Sequence, residues 1–208
     1  MTTSETKREI RAMMRSKRRD LSSTDRERAS FDLMKRLLAL PGILHARRVA
    51  AYVANDGEID PLPALTELGM TGVHGYLPVL FNTRRPRVRF ARYFPNAPLS
   101  KGRFDIQIPL HDQKNLLDPV QLDWLLMPLV AFDANGNRLG MGGGFYDASL
   151  ASRRAKKNWL RPRLIGIAHE FQRVDGLSVD SWDIPLDGIL TDQAFRLISD
   201  TSQPSARS

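Results

Sequence analysis

Residues 138–147 read Arg-Leu-Gly-Met-Gly-Gly-Gly-Phe-Tyr-Asp and hold the residue types from which a phosphate site is made. Gly140, Gly142, Gly143 and Gly144 leave a backbone that can approach an anion closely and turn its N–H groups toward it. Arg138 places a forked cationic donor before them, and Asp147 places a carboxylate after them. A carboxylate oxygen suits a hard divalent cation. Phosphate cradle, cation and metal ligand together point to a nucleotide. The stretch is neither of two widespread phosphate motifs: it lacks G-x-x-x-x-G-K-[ST], and Phe145 takes the last glycine position of G-x-G-x-x-G. Taken alone, it also suits a flexible turn, and Asp147 suits a helix first turn that prefers negative charge.

The elements that must position these residues follow from the hydrophobic pattern. Thr6-Lys-Arg-Glu9 has capping-box spacing ahead of Ile10, Met13 and Met14, which predicts a first helix ending near Asp20-Leu21 with both methionines in the core. Lys7, Arg11, Arg15 and Arg18 follow at three- or four-residue steps and so share a face. Thr24–Glu27 opens a second helix, carrying Phe31, Met34, Leu37 and Leu38 and stopped by Pro41-Gly42. Val49–Ala54 reads as a buried strand, Asn55-Asp-Gly57 as a turn containing Glu58 at its exit, and Asp60-Pro61 as the cap of a short helix to Leu68. His74–Leu80 and the alternating Arg87–Tyr93 are further strands, and 95–120 reads as irregular. Leu122–Phe132 is a near-continuous apolar run of the kind buried on both faces. The glycine loop follows, then a helix from Phe145 to Arg154, and strands at Leu164–Ala168 and Gly188–Leu190. Strands alternating with helices predict an α/β layered fold with a mostly parallel sheet. One domain over 1–199 is expected, with a disordered tail at 200–208.

Composition narrows the function classes. With no cysteine, disulfides, thiol catalysis and thiolate-held zinc are excluded. Four histidines without helical ligand spacing disfavour zinc, and His45, His74, His111 and His169 receive no catalytic role. Thr2–Arg19 is charged almost throughout, so it is not a signal-peptide core, and Glu5, Glu9 and Asp20 argue against a transit peptide; a cytoplasmic location is expected. Residues 1–50 carry 13 Lys and Arg against 6 Asp and Glu, so nearly all of the net +8 lies in the first quarter. Most of that charge, including Arg15, Lys17, Arg18 and Arg19, is read as solvent face, with some able to attract a polyglutamate tail. RNA binding is disfavoured because no aromatic precedes Phe31, leaving the basic block without a stacking platform. Trp124 and Trp159 are read as packing residues.

The chain resembles the 5-formyltetrahydrofolate cyclo-ligase family over roughly residues 7–192. The resemblance runs through Lys7-Arg-x-x-Arg11, Tyr52…Gly57-Glu58-Ile-Asp60, Met127-Pro128, Phe132-Asp133, Gly136–Asp147, Ile165–Ala168, Gln172 and Asp183–Asp187…Thr191. It implies a three-layer α/β/α sandwich. It also implies that Lys7 and Arg11 contact ATP phosphates, and that Arg138, Gly140, Met141, Gly142, Gly143, Gly144, Phe145 and Tyr146 hold the nucleotide. Asp147 and Asp183 would position Mg²⁺, and Glu58 and Val53 would lie in the folate pocket. Phe145 stands where the family usually has tyrosine, Gly143 where some members carry lysine, and Trp182 where histidine is frequent.

The implied reaction is ATP-dependent closure of 5-formyltetrahydrofolate to 5,10-methenyltetrahydrofolate through a phosphorylated formyl group. Such chemistry asks for positioning and positive charge rather than a covalent protein nucleophile, which agrees with a chain lacking cysteine. The expected partners are small molecules only, with no membrane, and the expected form is a monomer. The alternatives are a family-like ATP-binding protein without the folate reaction and an RNA-binding module.

Overall fold

The computed structural model describes residues 3–82, 86–102, 106–152 and 161–198. The end of the expected helix at Arg154, Trp159 and the tail from Asp200 lie outside these residues. Among the described residues, eleven strands and four α-helices build an α/β fold around a seven-stranded sheet. The strands are β1 (Arg48–Ala50), β2 (His74–Asn82), β3 (Pro86–Arg92), β4 (Leu99–Lys101), β5 (Gln107–Pro109), β6 (Trp124–Pro128), β7 (Ala131–Phe132), β8 (Arg138–Leu139), β9 (Arg163–Ala168), β10 (Gly188–Thr191) and β11 (Phe195–Leu197). The helices are α1 (Thr3–Arg19), α2 (Ser23–Leu38), α3 (Leu62–Met70) and α4 (Phe145–Ser149).

The main sheet runs β11-β10-β9-β6-β1-β2-β3, parallel through its five central strands and antiparallel at both edges. Its apolar runs are explained by the pleat, which sends successive side chains to opposite faces. Leu126 packs with Leu33, Leu37, Leu65 and Leu68 of α2 and α3, whereas its neighbours Leu125 and Met127 pack with Leu150, Ile184 and Leu186 on the other side. Both faces are therefore buried, with α2 and α3 forming one outer layer. Among the described residues, the opposite layer is built by α4 and by extended chain around residues 184–186. The close approach of that chain is why Gly166 has no side chain: a Cβ there would meet Leu186 and Leu129 within 2.7 Å.

Several element limits differ from the pattern reading. α1 begins at Thr3, ahead of Thr6, so the capping-box spacing lies inside the helix. α2 is capped by Ser22, whose hydroxyl accepts from the Asp25 N–H at 3.0 Å. Its buried face is Ala29, Ser30, Leu33 and Leu37, leaving Phe31 exposed. Met14 is buried but Met13 is 46% exposed. β1 ends at Ala50, although Ala51 N–H still donates to Tyr76 O at 3.0 Å. The apolar run 122–132 is two strands, since the ladder of β6 ends at Pro128, which has no N–H to donate. The irregular region contains the β4–β5 hairpin, and β11 adds an antiparallel edge beyond the last expected strand.

Candidate active site

β1 lies between β2, to which it connects, and β6, whose chain departs the other way toward β9. A crevice opens outside the carboxyl ends of two such strands, where α/β sheets collect their ligands. Here it is a cleft of about 1070 Å³. Tyr52 and Val53 enter it from the end of β1, and Pro128 and Leu129 from the end of β6.

The β7–β8 hairpin delivers the glycine loop. Asp133, buried, accepts the N–H groups of Asn135 and Asn137 at 2.9 and 3.0 Å, closing a turn in which Gly136 has a φ of 80°. Arg138 leaves this hairpin with its guanidinium on Asp147 Oδ1 at 2.5 Å and on the Ile184 carbonyl. The loop then passes through left-handed glycines, Gly142 at φ 97° and Gly144 at φ 64°, before α4 begins at Phe145. These two conformations require glycine, because a Cβ is strained there.

α1 closes the cleft with an unusual inward stripe. Positions 7, 11, 14 and 18 share one face, and three of the four are cations. Lys7 Nζ meets Asp180 Oδ2 at 2.7 Å, and Arg11 Nε donates to the Gly140 carbonyl at 2.9 Å. Met14 packs with Val130, Ala131 and Leu139. Arg18 is fully buried, reaching Asp56 Oδ2 at 3.2 Å and Glu58 Oε1 at 3.4 Å. Arg15 and Arg19 also bond Asp56, at 2.6 and 2.5 Å. The solvent-face reading is corrected for Arg18, which is buried, and in part for Arg15; Arg19 stays exposed as expected, although all three converge on Asp56.

Electrostatics at this end of the cleft follow from burial. Burial pushes the Glu58 carboxyl above its ordinary value, and the Arg18 guanidinium and the Asn55 N–H pull it part of the way back. Burial would also raise Asp56, but hydrogen bonds from Arg19 and Arg15 overcome that and hold it at about 2. The hydroxyls of Tyr52 and Tyr146 are both pushed up by burial and by the Glu58 charge. Tyr52 spends its proton on the Ile59 carbonyl at 2.8 Å.

Lys7, Arg11, Val53, Glu58, Arg138, the loop from Gly140 to Tyr146, Asp147 and Asp183 all line this one cleft. Asp147 Oδ1 accepts from Arg138 and from the Ile184 N–H at 3.2 Å, and Asp183 Oδ2 accepts from the Asp180 N–H at 2.9 Å. Each therefore has its second oxygen without a partner among the described residues. No cluster of three or more acidic or histidine ligands occurs among those residues. Mg²⁺ is held by one or two carboxylates with substrate phosphates completing its shell, so this donor pair fits it. Arg18, Asp56 and Asp180 escaped the sequence reading. Arg18 carried a visible signal, its place in line with Lys7 and Arg11, whereas Asp180 lies 173 residues from Lys7 with no local pattern.

The sequence profile described as the 5-formyltetrahydrofolate cyclo-ligase family matches residues 3–192. The chain is 37% identical over 181 residues to the 5-formyltetrahydrofolate cyclo-ligase of Escherichia coli (strain K12), covering 86% of this chain and 96% of that one. It is 37% identical over 184 residues to the Haemophilus influenzae protein of the same name, covering 88% and 95%. Among solved structures it is similar to the Aquifex aeolicus 5,10-methenyltetrahydrofolate synthetase, with a TM-score of 0.76 and 30% identity over 95% of both chains. It is also similar to the Mycoplasma pneumoniae 5,10-methenyltetrahydrofolate synthetase, with a TM-score of 0.67 and 26% identity over 89% of this chain and 98% of that one.

Proposed function

We propose that this chain, which belongs to the 5-formyltetrahydrofolate cyclo-ligase family, closes 5-formyltetrahydrofolate to 5,10-methenyltetrahydrofolate at the expense of ATP, releasing ADP and phosphate. The observation that carries this reading is one cleft lined by two kinds of group. Arg11 meets the glycine loop with Lys7 on the same helix face, whereas Arg18, further along that helix, meets the Glu58 carboxylate, and the apolar Val53, Leu80 and Ile106 line the same cleft. Polyphosphate suits the first, and a flat heterocycle with N–H donors suits the second.

A formamide oxygen leaves poorly. Transfer of the γ-phosphoryl group onto it, with ADP departing, gives an iminium phosphate at the formyl carbon. N10 attacks that carbon, its proton goes to solvent, and phosphate leaves as the methenyl bridge forms. The protein's part is charge and position. Lys7 and Arg11, held here by Asp180 and the Gly140 carbonyl, exchange those partners for phosphate oxygens, while the N–H groups of the loop supply fixed dipoles. Arg138, with both arms of its fork spent, positions Asp147 rather than reaching freely for phosphate. Asp147 and Asp183 would hold Mg²⁺, which when bound neutralises charge developing on the phosphoryl oxygens. Glu58 accepts from the pterin donors, oriented by Arg18.

No described helix is long and apolar enough to cross a membrane; the proposed setting is the cytoplasm, and the proposed form is a monomer. Incubation of purified protein with ATP, Mg²⁺ and 5-formyltetrahydrofolate is expected to develop methenyl absorbance in proportion to enzyme. ATP binding without any product at high enzyme concentration would instead leave a family-like nucleotide-binding protein without the folate reaction.

A further inference from the structure

A second recess, of about 570 Å³, lies at the opposite ends of the strands that form the catalytic cleft. Arg48, Trp124 and Arg163 begin β1, β6 and β9 there, whereas the cleft described above lies beyond the last residues of β1 and β6. One side of the recess is the chain leading into β1, with His45 and Arg47; the other is the chain leading into β9, with Arg161 and Arg163. Asp123 lies between them with both oxygens spent. Its Oδ2 accepts the N–H groups of Arg47 and Arg48 at 2.8 and 3.0 Å, and its Oδ1 meets Arg161 at 2.7 Å.

Asp123 therefore fastens the two sides together while balancing a single cation. Arg47 and Arg163 have no carboxylate partner among the described residues. The Arg163 guanidinium lies 5.2 Å over the Trp124 ring, which fixes its plane. Three arginines around one carboxylate leave an excess of two positive charges in a recess, before His45 is counted. Their mutual repulsion is relieved by an anion. Forked donors suit phosphate oxygens, and less entropy is lost at Arg163, whose fork already rests over Trp124. The volume falls within the range of small-molecule sites. Trp124 is 5% exposed and covered by Arg163, so no aromatic face is open for a nucleobase to stack on.

We propose that this recess binds a small phosphorylated anion carrying at least two negative charges, gripped by Arg47 and Arg163 and separate from the nucleotide of the catalytic cleft. The probe is inorganic pyrophosphate, titrated into the intact protein while backbone amides are followed by NMR. Saturable shifts are expected at Arg47, Arg48, Trp124 and Arg163. Affinity at these amides is expected to fall by about tenfold or more in Arg47→Ser/Arg163→Ser and to be largely kept in Arg47→Lys/Arg163→Lys. Arg47 and Arg163 are exposed, so both double variants should melt with the wild type; if the serine variant does not, the wild-type amide map and the lysine variant decide. Shifts confined to Gly140–Tyr146, or affinity unchanged by the serine variant, would overturn the proposal. So would a single-stranded oligonucleotide that moves the Arg47 and Arg163 amides with length-dependent affinity where pyrophosphate does not, because the occupant would then be nucleic acid.

Discussion

Arg18 carries its charge to a position with no exposed surface, and two carboxylates make this tolerable. Its Nε has no partner, so the charge is offset only at the two outer nitrogens. Removing one member of a buried ion pair leaves the others uncompensated, which is costly even where the pair itself adds little. Arg18→Ala is therefore expected to lose about 3–5 kcal/mol of stability, read from urea unfolding. A loss below about 1 kcal/mol, as at exposed pairs, would mean that water already reaches the guanidinium. The variant also frees Glu58 from its main cationic neighbour. Burial is then opposed only by the Asn55 N–H, and the pKa of that carboxyl is expected to rise further.

At the scale of elements, α1 is held to the turn at 55–58 by its backbone as well as its charges. A Cβ on Gly57 would lie 2.4 Å from the Arg18 carbonyl oxygen, and the residue sits at φ 75°. Gly57→Ala is expected to cost about 2 kcal/mol or more and to loosen α1 from the turn, lowering folate turnover. Unchanged melting temperature and turnover would show that helix and turn separate freely. This junction marks how far the sequence could be read. The glycine loop, the turn and the shared face of Lys7, Arg11 and Arg18 were all legible, because spacing along one helix or one loop is local information. That the shared face points inward was not, since apolar residues define inward faces and here cations occupy one. The break at Pro128 was hidden by an apolar run that continues past it, because burial persists where the ladder does not. The meeting of Asp180 with Lys7 is set by tertiary packing alone.

For the whole molecule, His169 and Asp56 weaken the fold as pH falls, while the raised carboxyls of Glu58 and Asp60 act in the opposite direction. Burial lowers the His169 pKa below its ordinary 6.5, and the Gly57 carbonyl, 3.1 Å from Nε2, opposes this in part. The folded chain thus keeps His169 neutral where the unfolded chain takes up a proton, so stability falls as pH drops below about 6.5. Asp56, at about 2 in the fold against 3.8 unperturbed, adds stability above about pH 4 that is lost as pH falls toward 2. Between pH 7 and 5 the urea midpoint is expected to change less favourably in the wild type than in His169→Gln, by the His169 contribution alone; equal changes would remove His169 from the account. A temporal consequence follows from α1. A ribosome supplies the partners of this helix in two instalments: Asp56 and Glu58 reach Arg18 across 38 and 40 positions, whereas Lys7 finds Asp180 across 173 and Arg11 finds the Gly140 carbonyl across 129. During synthesis the end of the helix that meets the turn can dock early, and the end that meets the glycine loop is among the last parts of the cleft to be completed.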